Sequence, residues 1–64
     1  MIVRLRNPNR EVEVEGPMSV VKLLGRFDLA RDAVLVIQDG ELVPGDALLD
    51  DDATVEIRNV ISGG

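Results

Sequence analysis

The side chains of this sequence that could do chemistry are nearly all carboxylates. Twelve Asp and Glu stand against seven Lys and Arg, giving a net charge of −5, and there is no histidine, cysteine or tyrosine. These absences exclude a thiol nucleophile, a histidine general base, disulfide staples and the usual zinc sites. The carboxylates are spread over alternating segments and turns, and no spacing pairs two of them as acid and base. The acidic run Asp50-Asp51-Asp52 lacks the central glycine and the terminal glutamate of a calcium loop, so it reads as a solvated turn. The one lysine, Lys22, reads as helix surface. What is left is main-chain chemistry. The chain ends Ser62-Gly63-Gly64. A diglycine has no Cβ atoms, can enter a narrow channel and can adopt almost any φ/ψ. Its carboxylate is then an unhindered acyl group that another protein's active site could activate.

The elements that would carry such an end follow from hydropathy patterning. Ile2 to Arg6 reads as a strand, with Val3 and Leu5 on one face and Arg4 and Arg6 on the other. Asn7-Pro8-Asn9 is turn chemistry. Glu11-Val12-Glu13-Val14-Glu15 alternates with period two, the signature of a half-buried strand, and pairs with the first strand as a hairpin. Gly16-Pro17 breaks it. Ser19 is placed to cap a helix whose residues Val20, Leu23, Leu24 and Phe27 follow the i, i+3, i+4, i+7 spacing of one buried face. Gly25 weakens that helix by about 1 kcal/mol relative to alanine, so it must be short and held by packing. Leu29 is expected under the following loop. Ala33 to Gln38 is apolar on both faces, as in a strand inside a sheet. Asp39-Gly40 is a hairpin turn, Glu41-Leu42-Val43 the return strand, and Thr54 to Arg58 a last alternating strand continued by Asn59-Val60-Ile61.

At 64 residues the chain supports one core. The order β-β-α-β-β-β predicts an α+β fold. A mixed sheet of four to five strands packs on one short helix, with the first and last strands parallel neighbours, which is the β-grasp (ubiquitin-like) arrangement. Residues 1–61 are expected to form the domain and residues 62–64 a flexible tail. The acidic balance argues against direct nucleic-acid binding. No apolar run reaches the length of a membrane span and no signal peptide is evident, so the cytoplasm is the default location.

With these marks in order, the whole chain resembles the ubiquitin-like sulfur carriers of the thiamine, molybdopterin and tRNA-thiolation pathways. The marks are the hairpin Val3, Leu5, Val12, Val14 and the helix start Gly16-Pro17-Met18-Ser19-Val20-Val21-Lys22-Leu23-Leu24, of the form Gly-x-x-[Ser/Thr]-Val-x-x-Leu-Leu. They continue with Asp39-Gly40-Glu41-Leu42-Val43-Pro44, an acidic turn before Val55-Glu56-Ile57, and the terminal Gly63-Gly64. The resemblance implies a carrier, not an enzyme, with no cofactor of its own. A ubiquitin-activating-type adenylating enzyme using ATP would place AMP on the Gly64 carboxylate, with Gly63 as its unhindered neighbour. A sulfurtransferase or cysteine desulfurase would supply sulfur to form a thiocarboxylate. A downstream sulfur-accepting enzyme, a tRNA thiolase or a thiazole synthase, would consume it, and a diglycine-cleaving metalloprotease is a further implied partner. The ending Ile61-Ser62-Gly63-Gly64 looks most like the carriers that serve 2-thiouridine synthesis in tRNA. Thiamine carriers are of similar length, and molybdopterin carriers are usually longer. Two alternatives stand beside this reading. One is a ubiquitin-like modifier conjugated to lysines through Gly64, for which Lys22 would be the acceptor within this chain. The other is a non-covalent binding module, of the kind found in toxin–antitoxin pairs, that merely ends in glycines.

Strand parity also predicts a docking face. If Val3, Leu5, Val34, Val36, Val55 and Ile57 face the helix, then Arg4, Arg6, Leu35, Ile37, Glu56, Arg58 and Val60 face outward. Together they would form one surface, part apolar and part basic, where an activating enzyme could hold the domain.

Overall fold

A computed structural model describes residues 1–6 and 9–60 of the chain. Asn7 and Pro8 of the first turn, Ile61 of the last strand, and Ser62, Gly63 and Gly64 lie outside the described residues. The described residues form seven strands, one α-helix and one short 3-10 turn: β1 (Ile2–Leu5), β2 (Arg10–Glu13), β3 (Met18–Ser19), α1 (Val20–Arg26), the 3-10 turn Arg31–Ala33, which takes Ala33 out of the expected strand, β4 (Val34–Gln38), β5 (Glu41–Val43), β6 (Leu48–Leu49) and β7 (Thr54–Asn59). Five of the strands form a mixed sheet in the order β2-β1-β7-β4-β5. The first and last strands are parallel neighbours, Val3 beside Val55 and Leu5 beside Ile57. The other pairings in this sheet are antiparallel. This is the expected α+β architecture, a β-grasp-like sheet packed on one helix.

Each element has a local cause. Ser19 caps α1 through its hydroxyl, which accepts from the Lys22 N–H at 3.2 Å. The helix ends at Arg26 because Asp28 turns left-handed, at φ 57°, and the Leu29 N–H then reaches back to the Leu24 carbonyl at 2.9 Å. This early stop changes one expectation. Val20, Leu23 and Leu24 are buried, but Phe27 falls beyond the last turn and packs half-buried at the edge of the core, as does Leu29. In the β4–β5 turn both central residues take positive φ, Asp39 at 50° and Gly40 at 87°. That geometry matches the twist of a two-residue hairpin and favours a glycine. The Asp39 carboxylate locks the turn onto the end of β7 by accepting from the Thr54 N–H at 3.0 Å.

The core lies between α1 and the inner face of the sheet, with Val3, Leu23, Val55 and Leu49 fully buried. Hydropathy patterning does not pick out the small antiparallel pair β3–β6, where Met18 opposes Leu49. A two-residue strand is too short to show a period. The pair nevertheless closes the open end of the barrel-like core, because Met18 and Leu49 both point into it. Met1 is also core: its side chain is buried and its amine donates to the Val14 carbonyl. The acidic turn contributes a structural contact, since the Asp51 carboxylate accepts from the Gly16 N–H at 2.9 Å and so ties the loop before β3 to the loop before β7. No helix is long and apolar enough to cross a membrane among the described residues.

Candidate functional site

Register across the sheet decides what the outer face presents. Arg4 stands between Glu11 on β2 and Glu56 on β7, Glu56 stands beside Ile37 on β4, and Ile37 beside Leu42 on β5. These five side chains form one row across all five strands. Charge lies on the β2, β1 and β7 side, and aliphatic surface lies on the β4 and β5 side. The next row pairs Arg58 with Leu35. Leu35 is 39% exposed and Val60 43% exposed, and Ile37 is half-buried. Arg4, Arg6 and Arg58 are all exposed. The structure therefore gathers Arg4, Arg6, Leu35, Ile37, Arg58 and Val60 on one face.

The charges on this face are organised around Glu56. Arg58 donates its Nε–H to the Glu56 carboxylate, and the Arg6 guanidinium lies 3.8 Å from the same oxygen. Arg4 donates to Glu11 at 3.1 Å. The hydrogen bond from Arg58 holds the Glu56 carboxyl below its ordinary value of 4.5, partial desolvation opposes it, and the fields of Arg58, Arg6 and Arg4 reinforce it. Glu56 is thus a fixed anion that aligns neighbouring guanidiniums. These exposed pairs order the surface more than they stabilise the fold.

Beside the row, an open cleft of about 410 Å3 is lined by Arg4, Leu5, Arg6, Asn9, Arg10, Glu11 and Glu56. Arg10 was not among the residues placed on the face by parity. It sits opposite Leu5, on the inward side of the first residue pair of the hairpin, and lines both this cleft and a smaller one beside Phe27, Leu29 and Ile57. Parity also leaves out Leu42, whose 64% exposure makes it one of the most open aliphatics among the described residues. Here the signal was present in the sequence. A two-residue Asp39-Gly40 turn pairs Gln38 with Glu41, so counting one step further puts Leu42 beside Ile37.

The site is joined to the chain's last segment by β7, which runs between β1 and β4. Its direction carries the backbone toward the end of the sheet that holds Arg6 and Arg10. The Val60 N–H donates to the Ala33 carbonyl at 3.0 Å, so the backbone is tied to the rim up to Val60. Gly63 and Gly64 lie outside the described residues. Lys22 is exposed on α1, on the other side of the molecule from the outer face. No group of three His, Cys, Asp or Glu converges as metal ligands among the described residues.

No protein-family model matches this chain, and no curated protein matches it at a significant level.

Proposed function

We propose that the protein is a ubiquitin-like sulfur carrier, most similar in its ending to those that serve tRNA 2-thiouridine synthesis. In this reading the Gly64 carboxylate attacks the α-phosphate of ATP on a ubiquitin-activating-type enzyme, releasing pyrophosphate and forming an acyl-adenylate. Sulfide then attacks the acyl carbon; the persulfide of a sulfurtransferase or cysteine desulfurase would instead displace AMP to give an acyl disulfide, which a second thiol cleaves to the thiocarboxylate and a disulfide. With sulfide, the C–S bond forms as the C–O bond to AMP breaks, AMP leaves, and a thiocarboxylate remains without any change of oxidation state.

One observation carries the reading. The strand that leads to Gly63-Gly64 is the central strand of a β-grasp-like sheet, and it leaves beside an exposed face that mixes aliphatic and basic residues. A rigid domain with its last strand anchored between two neighbours can present a short glycine-ended segment at a fixed distance from a gripped surface. That is the geometry required when the substrate's own terminus must enter another protein's active site. Supply of sulfur to thiazole synthesis uses the same chemistry and differs only in the downstream enzyme. Conjugation to lysines would branch from the same acyl-adenylate.

Intact mass after incubation with the source organism's adenylating enzyme, ATP and sulfide tests the proposal. The expected result is the gain of one oxygen-to-sulfur exchange at the terminus, absent when Gly64 is deleted. Higher-mass products carrying a diglycine remnant on lysine would replace the carrier reading with the modifier reading. A Gly64-deleted protein that keeps its cellular function would overturn both and leave a binding module.

A further inference from the structure

On the β2, β1 and β7 side of the sheet the charged side chains are segregated along the strand axis, while Asp32, next to the Ala33 that pairs with Val60, adds an acid at the far edge of the arginine end. At the end of the sheet where β1 and β7 begin lie Glu13 and Glu15, Asp39 and Glu41, and the loop Asp50-Asp51-Asp52, brought together by pairing and loop contacts. Toward the other end, where β7 leaves, lie Arg4, Arg6, Arg10 and Arg58. The acids close to these arginines on the outer face are Glu11 and Glu56, and both are held by an arginine. A chain of net charge −5 thus concentrates positive charge around one rim.

We infer that this arginine rim is a docking site for an acidic protein surface, with a partner carboxylate entering the cleft between Arg4, Arg6 and Arg10. Three observations choose this occupant. The cleft is lined by three arginines, and Glu56, whose carboxylate pairs with Arg6 and Arg58, lines it as well. It shows the kind of group to which the remaining N–H groups donate, because guanidinium forks match carboxylates closely. The aliphatic half of the same face, Leu35, Ile37 and Leu42, continues directly from the charged half. A protein interface uses such a junction of apolar centre and charged border, whereas a phosphate backbone has nothing to place on it. Finally, no aromatic is available for base stacking, since Phe27, the one aromatic residue, is half-buried behind the sheet. The acidic end adds orientation. A negatively charged partner repels that end and attracts the rim, so encounters are turned to present the end from which β7 leaves. This inference names the chemistry of the partner surface assumed under the sulfur-carrier reading. It rests on that reading only for why the end from which β7 leaves should face the partner.

The test is an NMR titration of the whole chain with a ten-residue poly-glutamate peptide, repeated with a single-stranded RNA oligonucleotide as competitor. Peptide-induced shifts are expected at Arg4, Arg6, Arg10 and Arg58 and absent from the Asp50–Asp52 loop. Arg6→Glu and Arg10→Glu are each expected to weaken binding about tenfold. Both residues are exposed, so the variants keep the native spectrum elsewhere. Raising salt from about 20 mM to about 150 mM should weaken it several-fold as the Debye length falls to about 8 Å. Glu56→Gln is expected to tighten binding, because it frees the guanidiniums that Glu56 now holds; a merely structural Glu56 would leave affinity unchanged or lower it. Shifts spread over the whole molecule, no shifts at low salt, or tighter binding of RNA than of peptide would each overturn the inference. So would concentration-dependent shifts of the same arginines without peptide, which would make the occupant a second copy. The titration needs no acyl chemistry, so its failure leaves the carrier reading standing. Failure of the mass experiment likewise leaves this binding measurable.

Discussion

Ile37 and Ile57 are the same residue type on adjacent paired strands, yet they live in different regimes. Ile57, on β7, points to the helix and is 2% exposed. Ile37, on β4, points outward next to Glu56 and remains half-buried. The inner face, with Val3, Val55, Val36 and Ile57, is fixed by folding, because each side chain is buried against α1. The outer face carries Arg4, Glu56, Arg58, Leu35 and Leu42 with little folding purpose. The contrast separates what this chain needs to fold from what it has to spare.

The sharpest way to break that contrast is to truncate both isoleucines. Ile57→Ala should cost about 2–4 kcal/mol, the transfer loss plus the cavity left in a fully packed site. Urea unfolding measures it, and a midpoint close to the unmutated value would mean that the inner face is not the core. Ile37→Ala should cost less than about 1 kcal/mol, since solvent already reaches that position. A cost equal to that of Ile57→Ala would erase the distinction between the faces. For a domain of this size, 1 kcal/mol corresponds to about 4–8 °C in Tm, so the two variants are easily told apart.

The same contrast explains what could be read from the residues. The inner face is legible because burial imposes a period, as in Val12-Glu13-Val14 and Val55-Glu56-Ile57. The central pairing of first and last strands follows from the element order, and parity then assigns Arg4, Leu35 and Arg58 outward. Three things escape this logic. β3 and β6 are two residues each, and no period exists over two residues. Phe27 satisfies the helical spacing, but the left-handed turn at Asp28 ends the helix first; an aspartate, unlike a glycine, is a weak signal for that conformation. Arg10 lines the outer cleft from an inward register position, because a long side chain at the edge of a sheet is not confined by parity.

The helix that covers the inner face offers a smaller test. Gly25 lies on the exposed side of α1, and a Cβ built there meets nothing within 4 Å. Gly25→Ala should therefore stabilise the protein by about 0.5–1 kcal/mol, through helix propensity and a less flexible unfolded chain. Thermal unfolding should show a higher Tm with unchanged shifts on the outer face. A lower Tm would mean that glycine at this position is required for packing, and that the inner layer extends further around the helix than its contacts indicate.

The smallest effect concerns the anion at the centre of the outer face. Glu56 is faced by Arg58 and Arg6 and lies within the field of Arg4, and the hydrogen bond from Arg58 leads in holding its carboxyl below 4.5 in the folded state. A carboxyl with a lowered native value binds its proton more weakly folded than unfolded. Its contribution to stability is therefore complete above about pH 4.5 and is lost as pH falls through the lowered native value. Glu56→Gln removes this contribution at every pH. The Tm of the unmutated protein should stand slightly above that of Glu56→Gln at neutral pH, and the two should converge once acid protonates Glu56. Salt should shrink the neutral-pH gap, because these groups are exposed. A gap that stays constant from neutral pH into acid would show that Glu56 acts through its shape and not its charge. The outer face would then be organised by packing, as the inner face is, and the distinction between the two would rest on exposure alone.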